Sequence, residues 1–367
     1  MEKKPLRILI IDGKLICGGV ESFIMNIYRL VDKEKIQFDF LVHYAGDFYY
    51  DDEVKKLGGK IYKLTFRDDN NIFKYKRDLR NFFYSHPEYQ IVWGHMDGLA
   101  SIYLKIAKQY GVKTTICHSH ITRPEYSVKG LIKKILRKNT WKYSDYRFAC
   151  SSEAGRYLYG NHPYRLIHNA IDVKKFSFNE DVRERIRKIH NWQDKIVIGH
   201  IGRFFEQKNH NFLIKIFYRL SLLNDDFVLC LCGDGDNKVL IEEQVRKMNL
   251  ENKVVFTGNI SNVNEYYQAF DFFVMPSLYE GLPVTGVEAQ TSGLKCIFSN
   301  TISSEINLVP ENVSFLPIKE DDIDQWVEEI IKNLKYCRKD CSNLIKASGY
   351  SVESLVNDIS SFMESVS

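Results

Sequence analysis

Short apolar, β-branched runs alternate along the chain with stretches whose apolar residues fall three and four apart, the pattern of strands separated by amphipathic helices. The run at 6–11 ends at Asp12-Gly13 and passes through Cys17-Gly18-Gly19 into a segment with Val20, Phe23, Ile24, Ile27, Leu30 and Val31 apolar. That spacing is helical, so the chain opens strand, glycine turn, helix, the first unit of a doubly wound sheet. Further strands are predicted at 38–42, 60–64, 91–93, 114–117 and 146–150. Right-handed crossovers place them in one parallel sheet with helices on both faces. The pattern then restarts, with strands at 196–201, 227–232, 254–256, 272–275 and 295–298 and helices over 211–223, 238–248 and 284–291. Asn169-Ala170-Ile171-Asp172 and a charged helical stretch at 180–190 form the connection between the two domains.

Length agrees with this division, since 367 residues exceed one ordinary core and suit two α/β domains. With 44% hydrophobic and 27% charged residues, the composition is that of a globular protein. A net charge of +4, from 51 basic and 47 acidic residues, is too mild to imply nucleic acid, and any electrostatic partner is served by a local patch. The eight cysteines lie mostly inside apolar runs without paired C-x-x-C spacing and read as reduced core residues. The N-terminal apolar run is shorter than a signal peptide or membrane span requires, which places the chain in the cytoplasm.

The sharpest chemical signal is Pro276-Ser277-Leu278-Tyr279-Glu280-Gly281-Leu282-Pro283-Val284-Thr285-Gly286-Val287-Glu288, between a buried strand and a helix. A Gly-Leu-Pro turn at a helix start presents free backbone N–H groups and the positive end of the helix dipole, a ready site for phosphate. Glu280 on the loop suits sugar hydroxyls, and Glu288, about one turn into the helix, suits both hydroxyls of a ribose. The second signal, Gly202-Arg203 with Lys208-Asn209, follows the strand at 196–201, where open α/β sheets bind ligands. Arg203 and Lys208 are expected to face one crevice, two cations that stabilise a departing diphosphate as a metal does elsewhere.

With these motifs in place, the chain resembles the retaining glycosyltransferases of family four, which have the two-domain fold called GT-B. The resemblance spans essentially the whole chain. It runs through Gly18-Gly19-Val20-Glu21, His118, Cys150-Ser151-Ser152-Glu153, Ile167-His168-Asn169-Ala170-Ile171-Asp172, Gly202-Arg203 with Lys208-Asn209, Gly233-Asp234-Gly235 and the block from Glu280 to Glu288. Within the family it is most similar to bacterial exopolysaccharide and capsule enzymes, through Cys117-His118-Ser119-His120 and the segment at 275–283. The resemblance implies two Rossmann-like domains facing a cleft: 1–170 for the acceptor, with 350–367 returning to it as a C-terminal helix, and 171–349 for the nucleotide-sugar donor. It also implies that Arg203 and Lys208 bind the diphosphate, that Gly281, Leu282, Pro283 and Val284 line the donor site, and that Glu280 meets the transferred sugar and Glu288 the ribose. The Gly18-Gly19 loop closes over the phosphates. UDP is the favoured nucleotide, a lipid-linked saccharide the expected acceptor, and no cofactor or metal is expected. Ala170 departs from the family's usual glycine.

His118, read as ending its strand, is expected to project from the carboxyl edge of the sheet as the catalytic histidine. His120, His95, Asp97 and Arg123 are acceptor-side candidates at neighbouring strand ends. Retention without a carboxylate nucleophile implies attack on the face from which the nucleotide leaves, the phosphate helping to take the proton. Asp234-Gly235-Asp236 has the spacing of a metal-binding D-x-D, yet reads as a turn after a strand. Lys129, Lys133, Lys134, Arg137, Lys138 and Lys142 decorate an apolar-striped helix that suits peripheral contact with an anionic membrane as well as ordinary packing. A nicotinamide dehydrogenase is disfavoured because the first turn lacks G-x-G-x-x-G. The alternatives are a nucleotide-sugar epimerase or phosphorylase of the same fold, or a non-catalytic carbohydrate-binding protein.

Overall fold

The computed structural model describes residues 4–120, 137 and 139–367. The chain divides into two compact units, Met1–Ala170 with Val352–Ser367, and Ile171–Ser351. Unit 1 holds β1 (Leu6–Ile11), β2 (Ile36–Val42), β3 (Ile61–Lys63), β4 (Ile91–Gly94), β5 (Thr114–Ser119), β6 (Tyr146–Ala149) and β7 (Arg165–Leu166). They pair in the order β3-β2-β1-β4-β5-β6-β7, all parallel. Unit 2 holds β8 (Ile196–Ile201), β9 (Phe227–Cys232), β10 (Val254–Gly258), β11 (Phe272–Met275), β12 (Lys295–Ser299) and β13 (Val313–Leu316). Their order is β10-β9-β8-β11-β12-β13, again parallel.

Alternation along the strands explains the two-sided cores. Ile8, Ile10, Phe38, Phe40, Trp93 and Ile116 enter one cluster, while Leu9, Ile11, Leu41, Val92 and Cys117 enter the other. Successive strand residues point to opposite faces, so a sheet covered on both sides must be apolar throughout. Unit 2 divides the same way, with Cys230, Cys232, Phe273, Met275 and Cys296 on one face and Leu229, Leu231, Phe272, Val274 and Ile297 on the other. The helix Val352–Ser365 belongs to unit 1, burying Val352, Leu355, Val356, Ile359 and Met363 in the β1–β2 cluster. The chain passes between units at 170–171 and 351–352, and an Ile171–Ser351 bridge joins the two crossings. Ala170 is buried with φ negative, so this connection needs no glycine.

In each sheet the strand order reverses beside the first strand, between β1 and β4 and between β8 and β11. Such switch points open a crevice at the carboxyl ends of the strands. One local expectation is corrected: β5 continues through His118 and Ser119, which pair with Phe148 and Ala149 of β6. His118 therefore lies within the sheet, fully buried, rather than projecting beyond its edge.

Candidate active site

At the switch point of unit 2 the two motif loops are tied to one another. Leu278 N–H donates to the Gln207 carbonyl at 2.8 Å, Gln207 Nε2 donates to the Tyr279 carbonyl at 3.0 Å, and Asn209 Nδ2 donates to the Pro276 carbonyl at 3.1 Å. Across this seam Lys208 Nζ meets Glu280 Oε1 at 2.7 Å, both side chains largely buried. Arg203 does not join them; it lies exposed, its guanidinium 4.9 Å from the Phe205 ring centroid. Arg203 and Lys208, expected to face one crevice, do not come together here: Lys208 turns to Glu280 and Arg203 to solvent. Beneath the loop, His200 and His210 are buried, and desolvation holds them at about 4 and about 2, so both are neutral beside the lysine.

The helix Val284–Thr291 follows directly. Its N-cap is Pro283, which offers no side-chain acceptor to the first turn, so backbone N–H groups at the positive end of the helix are available to an anion. Leu282 and Val284 pack against the unit 2 core, while Gly281 carries no side chain to obstruct the turn. Glu288 Oε2 and Tyr267 Oη are 2.9 Å apart, and Tyr267 Oη also lies 3.0 Å from the Thr285 carbonyl. Burial pushes the Glu288 carboxyl up to about 7, the hydrogen bond with Tyr267 opposing the shift. A single tyrosine proton cannot serve both acceptors fully. A protonated Glu288 donates to Tyr267 while Tyr267 donates to Thr285, which satisfies all three groups. Asp234 and Asp236 are exposed on the turn after β9. Gly233 has φ +138°, and a Cβ there would stand 2.1 Å from the Gly202 carbonyl oxygen, so the turn is shaped to abut the 202–208 loop.

In unit 1, His95 follows β4, His118 lies in β5, and His120 comes directly after that strand, two residues on from His118. His95 Nδ1 and His120 Nε2 are 2.9 Å apart. His118 lies parallel to Trp93, 6.0 Å between centroids, with Phe23 edge-on at 5.2 Å. Burial lowers all three imidazoles, His120 to about 3, so they are neutral. Asp97 contacts the opposite face of β5, where its Oδ2 is 3.1 Å from Ser119 Oγ. Gly18 is the N-cap and Gly19 the first residue of the helix Gly19–Leu30. A Cβ on Gly18 would meet Glu21 Oε2 at 2.3 Å, so a larger residue there displaces that carboxylate. Burial and then Glu21 raise the buried Asp12 to about 8.

Arg123 and most of the basic stretch at 129–142 lie outside the described residues. Of the described part, Trp141 stacks on His162 at 4.0 Å and Arg137 reaches Tyr157 Oη. The sequence reading gave Gln207 and Asn209 no role of their own within the 202–209 motif, and it missed Tyr267, His200, His210 and the burial of Asp12. Tyr267 reads as an ordinary core aromatic of its helix.

Two doubly wound parallel sheets, each with a switch point, and an anion-ready helix start in unit 2 define the GT-B class of two-domain transferases. A family model described as Glycosyl transferases group 1 matches residues 182–349. Putative glycosyltransferase EpsF of Bacillus subtilis is 34% identical over 90% of this chain and 88% of its own length. The UDP-Gal:alpha-D-GlcNAc-diphosphoundecaprenol alpha-1,3-galactosyltransferase of Escherichia coli is 30% identical over 53% of this chain and 52% of its own. The crystal structure of Anabaena Alr3699/HepE in complex with UDP is alike in fold, with TM-score 0.79, 16% identity, and coverage of 98% of this chain and 100% of that one. The chain belongs to glycosyltransferase group 1 and resembles the bacterial exopolysaccharide enzymes of that group. It is accordingly a glycosyltransferase. No helix among the described residues is long and apolar enough to cross a membrane.

Proposed function

We propose that this enzyme transfers a hexosyl or N-acetylhexosaminyl group, with retention, from a UDP-sugar to a lipid-linked saccharide acceptor in exopolysaccharide or capsule biosynthesis. The observation that carries the reading is the Lys208–Glu280 pair, seated beside the uncapped helix start at Pro283 with Glu288 behind it. Diphosphate, sugar and ribose find a cation with N–H donors, a carboxylate and a second carboxylate in turn, within one unit. Likeness to a UDP-bound fold and to an enzyme named for UDP-Gal and a diphosphoundecaprenol acceptor supports the nucleotide and the lipid-linked acceptor.

In this reading Lys208 and the helix N–H groups hold the diphosphate and stabilise the charge it gains as the glycosidic bond breaks, with Arg203 reaching it from the exposed side of the loop. Positioning and fixed charge supply the rate acceleration, and no metal is required. Glu280 releases Lys208 to the phosphate and accepts from the sugar hydroxyls. The acceptor attacks from the leaving-group face and its proton passes to the departing phosphate. Unit 1 serves the acceptor, with His118, His95 and His120 as its polar core and Asp97 and Arg123 as further candidates. The basic segment at 129–142 rests on anionic lipid at the inner face of the membrane.

A thermal-shift panel of UDP, GDP and ADP with EDTA present tests the donor assignment, because a ligand of the native state raises the melting temperature. UDP alone is expected to shift the parent chain and to leave Glu288→Ala unmoved. A shift restored only by added Mn²⁺, or none with any nucleotide, overturns the metal-free donor site.

A further inference from the structure

The three histidines of unit 1 carry more than their place at a strand edge. Ligand nitrogens of His95, His118 and His120 all lie within 4.8 Å of one another. Among the described residues both ring nitrogens of His118, Nε2 of His95 and Nδ1 of His120 are buried without a hydrogen-bond partner. Each neutral imidazole keeps one lone pair, so the three rings offer three between them once the His95–His120 contact opens, a set poised for a ligand that accepts electron pairs.

We propose that His95, His118 and His120 form a binding site for a divalent transition ion of the zinc class, separate from the donor site. The three offer imidazole nitrogens alone to the space between them. Three imidazoles with no carboxylate or thiolate in the set favour Zn²⁺, Co²⁺ or Cu²⁺ over Mg²⁺ and Ca²⁺, which take oxygen. Zinc–nitrogen bonds of about 2.0–2.1 Å put tetrahedral ligands roughly 3.4 Å apart. The rings need draw together only modestly, and the 2.9 Å His95–His120 contact opens to admit the ion. Trp93, Phe23 and Phe148 wall the His118 ring and fix its plane. Three protein ligands leave a fourth position for water. The three imidazoles are the ones proposed above for the acceptor side, so an ion held there withdraws them from it and slows transfer rather than supporting it.

The test is titration of the chelator-stripped full-length chain with Co²⁺, read by its visible absorption, followed by calorimetric titration with Zn²⁺. One ion per chain is expected, with the spectrum of nitrogen ligation and no thiolate charge-transfer band, which separates this site from the exposed Cys17 and Cys337. His95→Asn and His120→Asn are expected to bind at least about tenfold more weakly. The parent's melting temperature rises with Zn²⁺ and that of His120→Asn does not, while the two chains melt alike without metal. Absent stoichiometric binding, a thiolate band, or unchanged affinity in both variants overturns the proposal.

Discussion

In the proposed donor site one residue pair, Lys208 and Glu280, serves two states. Without a donor the carboxylate neutralises a largely buried ammonium at 2.7 Å; with one, the diphosphate takes over that task. Lys208→Ala removes charge stabilisation from the leaving group, and turnover is expected to fall by about 10²–10³-fold, measured as nucleotide release in the presence of acceptor. Glu288 sets a pH dependence. Its carboxyl sits near 7 when folded, against an ordinary 4.5, so the free protein favours the protonated form. Its contribution to stability is therefore lost as pH rises from 4.5 to about 7. Ribose hydroxyls need the ionised acceptor, so UDP affinity is expected to fall toward tenfold per unit below pH 7 and to level off above it. Burial, with Glu21 adding to it, likewise pushes Asp12 of unit 1 up to about 8, so calorimetry on Glu288→Gln, which should lose the slope, isolates Glu288. The carboxylates and the lysine were legible in the sequence because their loops are contiguous motifs. Tyr267, which hydrogen-bonds Glu288, was not, because its contact exists only after the helix Val263–Ala269 packs on Val284–Thr291.

At the scale of elements, the donor loop after β11 is held from the far end of its strand. Arg183 Nη1 donates to the Phe270 carbonyl at 2.8 Å, Arg187 Nη1 to the Ala269 carbonyl at 2.8 Å and Arg338 Nη1 to the Gln268 carbonyl at 2.6 Å. They complete the carboxyl end of the helix before β11, where cations also meet the negative end of its dipole. Asp271 neutralises two of them, at 2.5 Å from Arg183 and 3.1 Å from Arg187. Asp271→Ala leaves those arginines without a counter-charge. A loss of about 2–3 kcal/mol is expected in denaturant unfolding, less than for a fully buried pair because Asp271 is a quarter exposed. Strands with continuous apolar runs were readable from sequence alone. The end of β5 was not, because His118 and Ser119 look like loop chemistry until their pairing with β6 is seen. The two-residue β7 and the half-buried edge strand β13 carry too little pattern to register.

At the scale of the whole chain, the last helix completes unit 1. Five side chains buried from Val352–Ser365 stabilise by about 1.5–3 kcal/mol each, a sum comparable to the entire stability of a domain. Deleting 352–367 is expected to abolish the cooperative melting of unit 1, read by calorimetry. The two-domain organisation was legible because the strand–helix pattern restarts, whereas the return of the final helix rested on family resemblance alone. The central claim, that unit 2 holds the UDP-sugar on the loops after β8 and β11, is tested most directly by amide hydrogen exchange with and without UDP in EDTA. The account predicts slowed exchange in residues 202–209 and 278–288 of the parent chain and none in Glu288→Ala. Protection confined to other segments, or the same protection in the variant, would contradict it.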